Sequence, residues 1–475
     1  MRARLRAAAV AVALFTALAA AFGQTATPPA APATTPEAGA VTLTVDQAIA
    51  RSLANQPLIL QAEAAVQAAH ARVGEAQALY YPMVSGTAAY NRLSDESFSF
   101  AALLPAGFNL SSLGPLGALF SSPLSLVPVD NWDFNLGLSQ VIFQFGKRGI
   151  QVKLAENGMS TARIGVDQVR MSLAFQAAQG FYTVLFLRQQ VEALDVQVRN
   201  LQEHLEATRI RTQTGTATRY DELSTEVRMS SLQSQRIEAD TQYKKQLIGL
   251  KQLLGIEEAA VIELDGGFTP PEPAGTDEQA LLASAMTQRL DVRQAVETEN
   301  AAALSRRVVT ASALPTLSAH AAMGYKTGIL PDLNTPTFNW VAGVQLNVPI
   351  FQGFLYAHQG EEADKRLLAA QENTAAVKRN AVTQVLQAIQ DVEASQEQVQ
   401  SAQTQLDQTR DMQEVVKVQY DLGMLTNLEY LDAQVAQERA QLGSLQSQYR
   451  EVLSQYALKQ ATGAVIWAAG GQGSR

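Results

Sequence analysis

The stretch Val141-Ile142-Phe143-Gln144-Phe145-Gly146 decides how this chain is read, because its centre returns as Ile350-Phe351-Gln352. The shift, from 142 to 350, is 208 residues. At the same shift Gly215 meets Gly423, Thr218 meets Thr426 and Leu223 meets Leu431. Leu250, Lys251 and Gly255 meet Leu458, Lys459 and Gly463, with no gap between Ile142 and Gly255. A tandem duplication of this size predicts two similar structural units in one chain. The conserved spacing joins a strand-like motif to a helix turn, so it reads as the length of something rigid.

Around these anchors most of the chain is Ala-, Gln- and Glu-rich and predicts long helices. The expected helices are Asp46 to Ala78, 147–212 and 218–254 in unit one, and Asp277 to Ala313, 355–421 and 426–461 in unit two. Val191, Leu194, Val198, Leu201 and Leu205 alternate steps of three and four, as do Val382, Val385, Ile389 and Val392. That narrow stripe is a coiled-coil seam. A helix of ~65 residues rises about 100 Å. Two shorter helices end to end roughly match it, so each unit is expected to pack a long helix against two short ones. Such a helix outruns an ordinary globular core, and a rod or tube is expected.

Each unit also carries two strand-like segments, 82–91 with 132–143 and 315–325 with 338–350. Trp132, Phe134, Leu136 and Leu138 alternate with Asp133, Asn135, Gly137 and Ser139. Phe338, Trp340, Ala342, Val344, Leu346 and Val348 alternate with Asn339, Val341, Gly343, Gln345 and Asn347. Segments of about ten alternating residues are the signature of outer-membrane barrel strands. Tyr90, Trp132, Phe134, Tyr325, Phe338 and Trp340 lie beside the connecting loops, and Phe143, Phe145, Phe351 and Phe354 at the other ends. Two such bands fit an aromatic girdle at each membrane interface; the alternative is the edge of a soluble sandwich. Asp133, Asn135, Asn339, Gln345 and Asn347 would then line a lumen. Four strands cannot close a pore, and open sheet edges cannot stand in lipid. Several copies must share one barrel, and three would give twelve strands.

The chain begins with Arg2, Arg4 and Arg6, an apolar run from Ala7 to Phe22, and small residues before Gly23. Residues 1–23 read as a secretory signal peptide; as a lone membrane anchor the run falls short of the ~20 residues a span needs. Residues 24–43, rich in Pro, Ala and Thr, predict a flexible tether. Repeat unit one is then 44–265, unit two 266–463, and 464–475 a tail. The net charge of −9 and the lack of a basic patch argue against a nucleic-acid partner. There is no cysteine. His70, His204, His320 and His358 match no zinc-site spacing, and no P-loop, G-x-G-x-x-G or G-x-S-x-G is present. No catalytic, metal or cofactor residue is expected, and the chain does not read as an enzyme.

The pattern resembles the TolC-like outer-membrane efflux proteins, the outer-membrane factors. The resemblance rests on Val141 to Gly146 and Val348-Pro349-Ile350-Phe351-Gln352-Gly353 as strand-to-helix junctions, with Phe143, Gly146, Pro349, Phe351 and Gly353 at their turns. It rests also on Gly215-x-x-Thr218 and Gly423-x-x-Thr426 as helix-tip turns. It covers the chain after the tether and departs from the family in lacking a proline at Val141 and in a long first loop. It implies a homotrimer with a twelve-stranded outer-membrane β-barrel continued by a periplasmic α-helical barrel of coiled-coil helices. It implies a tip that docks a periplasmic adaptor (membrane fusion protein) and through it an inner-membrane pump. The function implied is a passive exit duct of an efflux or type I secretion system; the alternative is a periplasmic coiled-coil spacer without transport.

At the tips, Thr218 with Asp221 and Thr426 with Glu429 have the spacing of a capping box. The resemblance places these same acids at the closed periplasmic entrance, and both roles can hold together. Asp432 lies one turn deeper, where capping does not need it, and its counterpart is Ser224. An acidic ring there would constrict the entrance and favour cations; the plainer alternative is an acid favoured by the helix dipole. Arg209, Arg211, Lys417, Met424 and Leu425 are candidates for adaptor contact.

Overall fold

The computed structural model describes residues 41–92, 130–272, 275, 277–328 and 335–467. The expected signal peptide, residues 24–40 of the tether, most of the long first loop and the end of the tail lie outside the described residues.

Among the described residues eight helices and six strands follow in order. Strand β1 is Val41–Leu43, so the last three residues assigned to the tether are ordered in a strand instead. Apolar Leu43 is buried there, and β1 pairs with β4, Ile262–Leu264. Helix α1 is Val45–Asn55, α2 Pro57–Ala78, α3 Lys147–Gln213 and α4 Arg219–Leu254. Helix α5 is Glu278–Gln288, α6 Leu290–Ser312, α7 Leu355–Asp421 and α8 Asn427–Thr462. The long helices α3 and α7 each have 67 residues, and the return helices α4 and α8 each have 36.

Two expected helices are each broken in two. Between Asp46 and Ala78 the break is at Gln56 (φ −83°, ψ 123°), because Pro57 has no N–H to continue α1 and forces the preceding residue into an extended conformation. Between Asp277 and Ala313 it is at Arg289 (φ −59°, ψ 129°), where no proline warns of it. Both breaks serve the return helices. The Gln56 amide donates to the Leu253 carbonyl, and the Arg289 guanidinium donates to the Ala461 carbonyl at 2.9 Å. Leu253 and Ala461 are themselves 208 apart, so the two breaks cap the same orphan carbonyl in each unit.

The sheet-side ends of the long helices are set by paired left-handed residues. Phe145 (φ 47°) and Gly146 (φ 78°) precede α3, and Gly353 (φ 60°) and Phe354 (φ 65°) precede α7. The two conformations recur while phenylalanine and glycine exchange places. At the first junction Arg148 donates to the carbonyls of Val141 at 2.8 Å and Ile142 at 2.7 Å, with its guanidinium 4.9 Å over the Tyr80 ring. This clasp stands where the second unit has Pro349.

Helix α3 carries the core, packing on α2 and α6 toward one end and on α4 and α8 toward the other. Ala174, Ala177, Ala178, Phe181 and Leu185 are almost wholly buried along it. Each buried large side chain such as Phe181 contributes about 1.5–3 kcal/mol. The seam residues Leu194 and Leu201 join Met229, Leu232 and Ala239 of α4, Tyr420 of α7, and Tyr430 and Leu431 of α8 in one cluster.

Strands β2 (Met83–Arg92), β3 (Asp130–Phe143), β5 (Thr316–Lys326) and β6 (Thr337–Asn347) form one antiparallel sheet in the order β2-β3-β5-β6. The fourth strand ends at Asn347 rather than at Ile350, before Pro349, which has no N–H for a ladder. A register shift between Val141 and Phe143 marks the exit of β3 toward the junction. Among the described residues β2 and β6 are each paired on one side only.

Candidate functional site: the sheet faces and the helix tips

The register sorts the sheet into two chemistries. Tyr90 lies opposite Trp132, Phe134 opposite Tyr325, and Tyr325 opposite Phe338, so with Trp340 all six girdle aromatics share one face near the loops. Tyr90 and Trp132 have ring centroids 4.5 Å apart, and Tyr325 and Phe338 5.6 Å. Leu136, Met323 and Trp340 continue the apolar face. The other face sets Asp133 opposite Lys326, Asn135 opposite Gly324, Gly324 opposite Asn339, and Ser318 opposite Gln345. One face is thus suited to lipid and the other to water. Phe143 with Phe145, and Phe351 with Phe354, make the second aromatic group at 4.8 and 5.4 Å.

At the far end of each long helix a glycine reverses the chain. Gly215 (φ 78°) and Gly423 (φ 76°) follow α3 and α7. Thr216 N–H returns to the Arg211 carbonyl at 2.8 Å, and Met424 N–H to the Gln419 carbonyl at 2.9 Å. Both return helices open with a full capping box. Thr218 N–H donates to the Asp221 carboxylate at 2.9 Å, and Thr426 N–H to the Glu429 carboxylate at 2.7 Å. The backbone N–H and then the hydroxyl of Thr426 hold Glu429 below the usual carboxylate range, so it stays charged. Aspartate closes the box in unit one as fully as glutamate does in unit two.

Asp432 is exposed, and among the described residues no cation pairs with it. Its counterpart Ser224 is folded back onto the Asp221 carbonyl at 2.9 Å. Met424 is 70% exposed, while Leu425 is partly buried against the tip cluster. Arg209 pairs with Glu226 at 2.8 Å, Arg211 with Asp421 at 3.3 Å, and Lys417 is exposed.

In the sequence His204 is one of four scattered histidines. The structure buries it at the tip, with Nε2 2.8 Å from Oδ1 of Asn427 and its ring stacked 4.3 Å from Tyr430. Asn427 stands beside Thr426 and reaches Asp221, Ser224 and Thr225 of α4. The signal in the sequence is a polar residue, Asn427, directly after the capping Thr426. Groups of acids and histidines able to hold a metal are absent among the described residues.

Residues 48–256 and 281–464 match the family described as "Outer membrane efflux protein". The chain is 21% identical to "Outer membrane protein TolC" of Vibrio cholerae over 416 residues, 86% of this chain and 88% of that one. It is 24% identical over 316 residues to "Alkaline protease secretion protein AprF" of Pseudomonas aeruginosa, 65% of this chain and 64% of that one. Its fold matches the Campylobacter jejuni CmeC outer membrane channel with a TM-score of 0.73 at 19% identity, covering 88% and 85% of the two chains. With the match spanning well over half its length, and with a sheet apolar on one face joined to paired 67-residue helices, the chain belongs to the outer membrane efflux protein family and is an outer-membrane exit channel.

Proposed function

We propose that three copies assemble into one passive duct that a periplasmic adaptor and an inner-membrane pump open at its tip. The observation that carries the reading is the sheet with one apolar face and two half-paired edges, β2 and β6. In lipid every backbone N–H and carbonyl must be paired, so β6 of one copy pairs with β2 of the next until the ring closes. Twelve strands leave a water-filled lumen lined by Asp133, Asn135, Asn339, Gln345 and Asn347. The long helices continue the wall into the periplasm, and the helix turns form its entrance. Asp221, Glu429 and Asp432 make that entrance acidic, with Glu429 and Asp221 also capping. Gly215, Thr218, Gly423, Met424, Leu425 and Thr426 present the adaptor surface. The similarity to a secretion protein and to efflux channels supports an exit route for exported molecules rather than a spacer.

The chain has no cysteine, so an introduced pair reports cleanly. Cysteines placed singly along β2 and β6 are expected to cross-link copies into heat-modifiable trimers in outer-membrane fractions. A soluble periplasmic monomer would overturn the duct.

A further inference from the structure

At the tip, four helices meet on one titratable ring. His204 of α3 is 8% exposed and Asn427 of α8 is 5% exposed. The hydrogen bonds fix which atoms carry protons. Ser224 Oγ and Thr225 Oγ1 both donate to the Asp221 carbonyl, at 2.9 and 2.8 Å. Their lone pairs therefore accept from Asn427 Nδ2, at 3.3 and 3.2 Å, and Nδ2 also reaches the Asp221 carbonyl at 3.2 Å. The amide is thus oriented, and its Oδ1 must accept from His204. So Nε2 of His204 bears the hydrogen, and a second proton can enter only at Nδ1, where no hydrogen bond is made among the described residues.

The surroundings of the ring suit a neutral imidazole. Tyr430 of α8 stacks on it at 4.3 Å, and Tyr420 of α7 lies 5.3 Å away. On α3 itself, Arg211 sits 4.8 Å over the Tyr420 ring and pairs with Asp421 of α7 at 3.3 Å, so the carboxylate that acts on the ring is already engaged. From α4 the facing groups are the neutral hydroxyls of Ser224 and Thr225 and the Asp221 carbonyl; the Asp221 carboxylate is turned to Thr218.

We propose that His204 is a proton-operated latch: neutral, it clamps the tip of α7 and α8 to α3 and α4 through Asn427, and a second proton at Nδ1 releases them. This rests on the reading of the helix tip as the gate. Burial pushes the imidazole down from its ordinary value; the Asn427 hydrogen bond opposes this, Arg211 adds to it and Asp421 opposes. In a released tip the ring is solvated and returns to about 6.5. The released form therefore binds more protons below about pH 6.5, and the latch is at full strength above it. As pH falls from there toward the depressed value, the released fraction rises by at most about tenfold per pH unit in each copy.

The test is single-channel conductance of the purified full chain in planar bilayers between pH 7.5 and 5.5. Hydrogen exchange at residues 427–431 of the same samples provides a readout that needs no conduction. The wild-type chain is expected to gain open probability and lose protection on acidification. His204→Gln keeps an N–H at the Nε2 position but cannot take a proton, and its ratio of acid to neutral response is expected to be flat in both readouts. Arg211→Ala serves as a gate control at pH 7.5, since it breaks the Asp421 bridge. If Arg211→Ala opens the channel but His204→Gln keeps the acid response, the latch is wrong and the gate stands. If neither variant changes conductance, the tip is not the gate and both readings fall.

Discussion

Arg289 donates to the Ala461 carbonyl at 2.9 Å, closing the C-terminus of α8 from a break between two other helices. The same guanidinium holds Asp291 at 2.7 Å and Gln384 at 2.7 Å. One residue therefore ties α5, α6, α7 and α8 together, which explains why a helix stops there without a proline. Arg289→Ala strands the partly buried Ala461 carbonyl and removes a charged donor, and it is expected to cost about 1–3 kcal/mol. Chemical denaturation of the detergent-solubilised protein measures it; an unchanged midpoint would remove Arg289 from the support of α8.

The same pair sets an acid limit. Burial works to raise Asp291, but the Arg289 hydrogen bond, its charge and the Val292 N–H outweigh this and hold the carboxyl below its ordinary value of 3.8. A lowered carboxylate contributes stability that is complete above about pH 4 and lost as pH falls below it. Asp291→Asn is expected to melt earlier than wild type at pH 7, with the difference shrinking near pH 3; solvent screens part of it.

Gly463 (φ 76°) follows α8, and a Cβ there would meet the Arg289 nitrogen at 2.7 Å and the Gln288 carbonyl carbon at 2.8 Å. Gly423 has the same φ of 76° with nothing within 4 Å. Gly423→Ala is expected to cost about 1–2 kcal/mol, the left-handed penalty alone. Gly463→Ala should cost clearly more, and thermal melts that place the two together would refute the close approach.

Arg148→Ala removes the clasp at the exit of β3, taking the guanidinium from the Ile142 carbonyl and leaving the Val141 carbonyl with the Gln140 side-chain amide at 3.0 Å. A loss of about 1–3 kcal/mol is expected. Limited proteolysis between the sheet and α3 should become faster, while the junction at Pro349 is unaffected. Equal rates before and after the substitution would show that the clasp is idle.

Asp432→Ala is expected to raise single-channel conductance or to weaken block by multivalent cations. Glu429→Gln separates charge from capping, since glutamine still accepts from the Thr426 N–H. If both variants leave conductance and block as in wild type, the acidic entrance has no role in ion passage.

Much of this was legible because it repeats. The 208-residue shift located both junctions and both tips, and the capping spacing placed the starts of α4 and α8 at Thr218 and Thr426. The alternation of Trp132 to Ser139 gave the sheet its faces without a core to aid it. Single residues acting at long range were not legible. Arg289 breaks a helix because of a carbonyl 172 positions away, and His204 finds Asn427 across 223. Equivalence by repeat also misled locally, since Leu223 is 45% exposed where Leu431 is buried. The two halves share a backbone, but their tips meet different neighbours.

The carbonyls capped by Gln56 and Arg289 lie at the ends of α4 and α8 remote from the tips. Between those caps and Gly215 or Gly423 each return helix runs back along its own long helix, α4 on α3 and α8 on α7. The reach of the protein is therefore a modular property, separable from its membrane anchor and from its tip. Two turns inserted into α3, α4, α7 and α8 together would extend it and preserve every cap. The same insertion in α3 alone, ahead of His204, would carry His204 about 10 Å from Asn427. Selection for a longer or shorter reach must therefore act on four places at once.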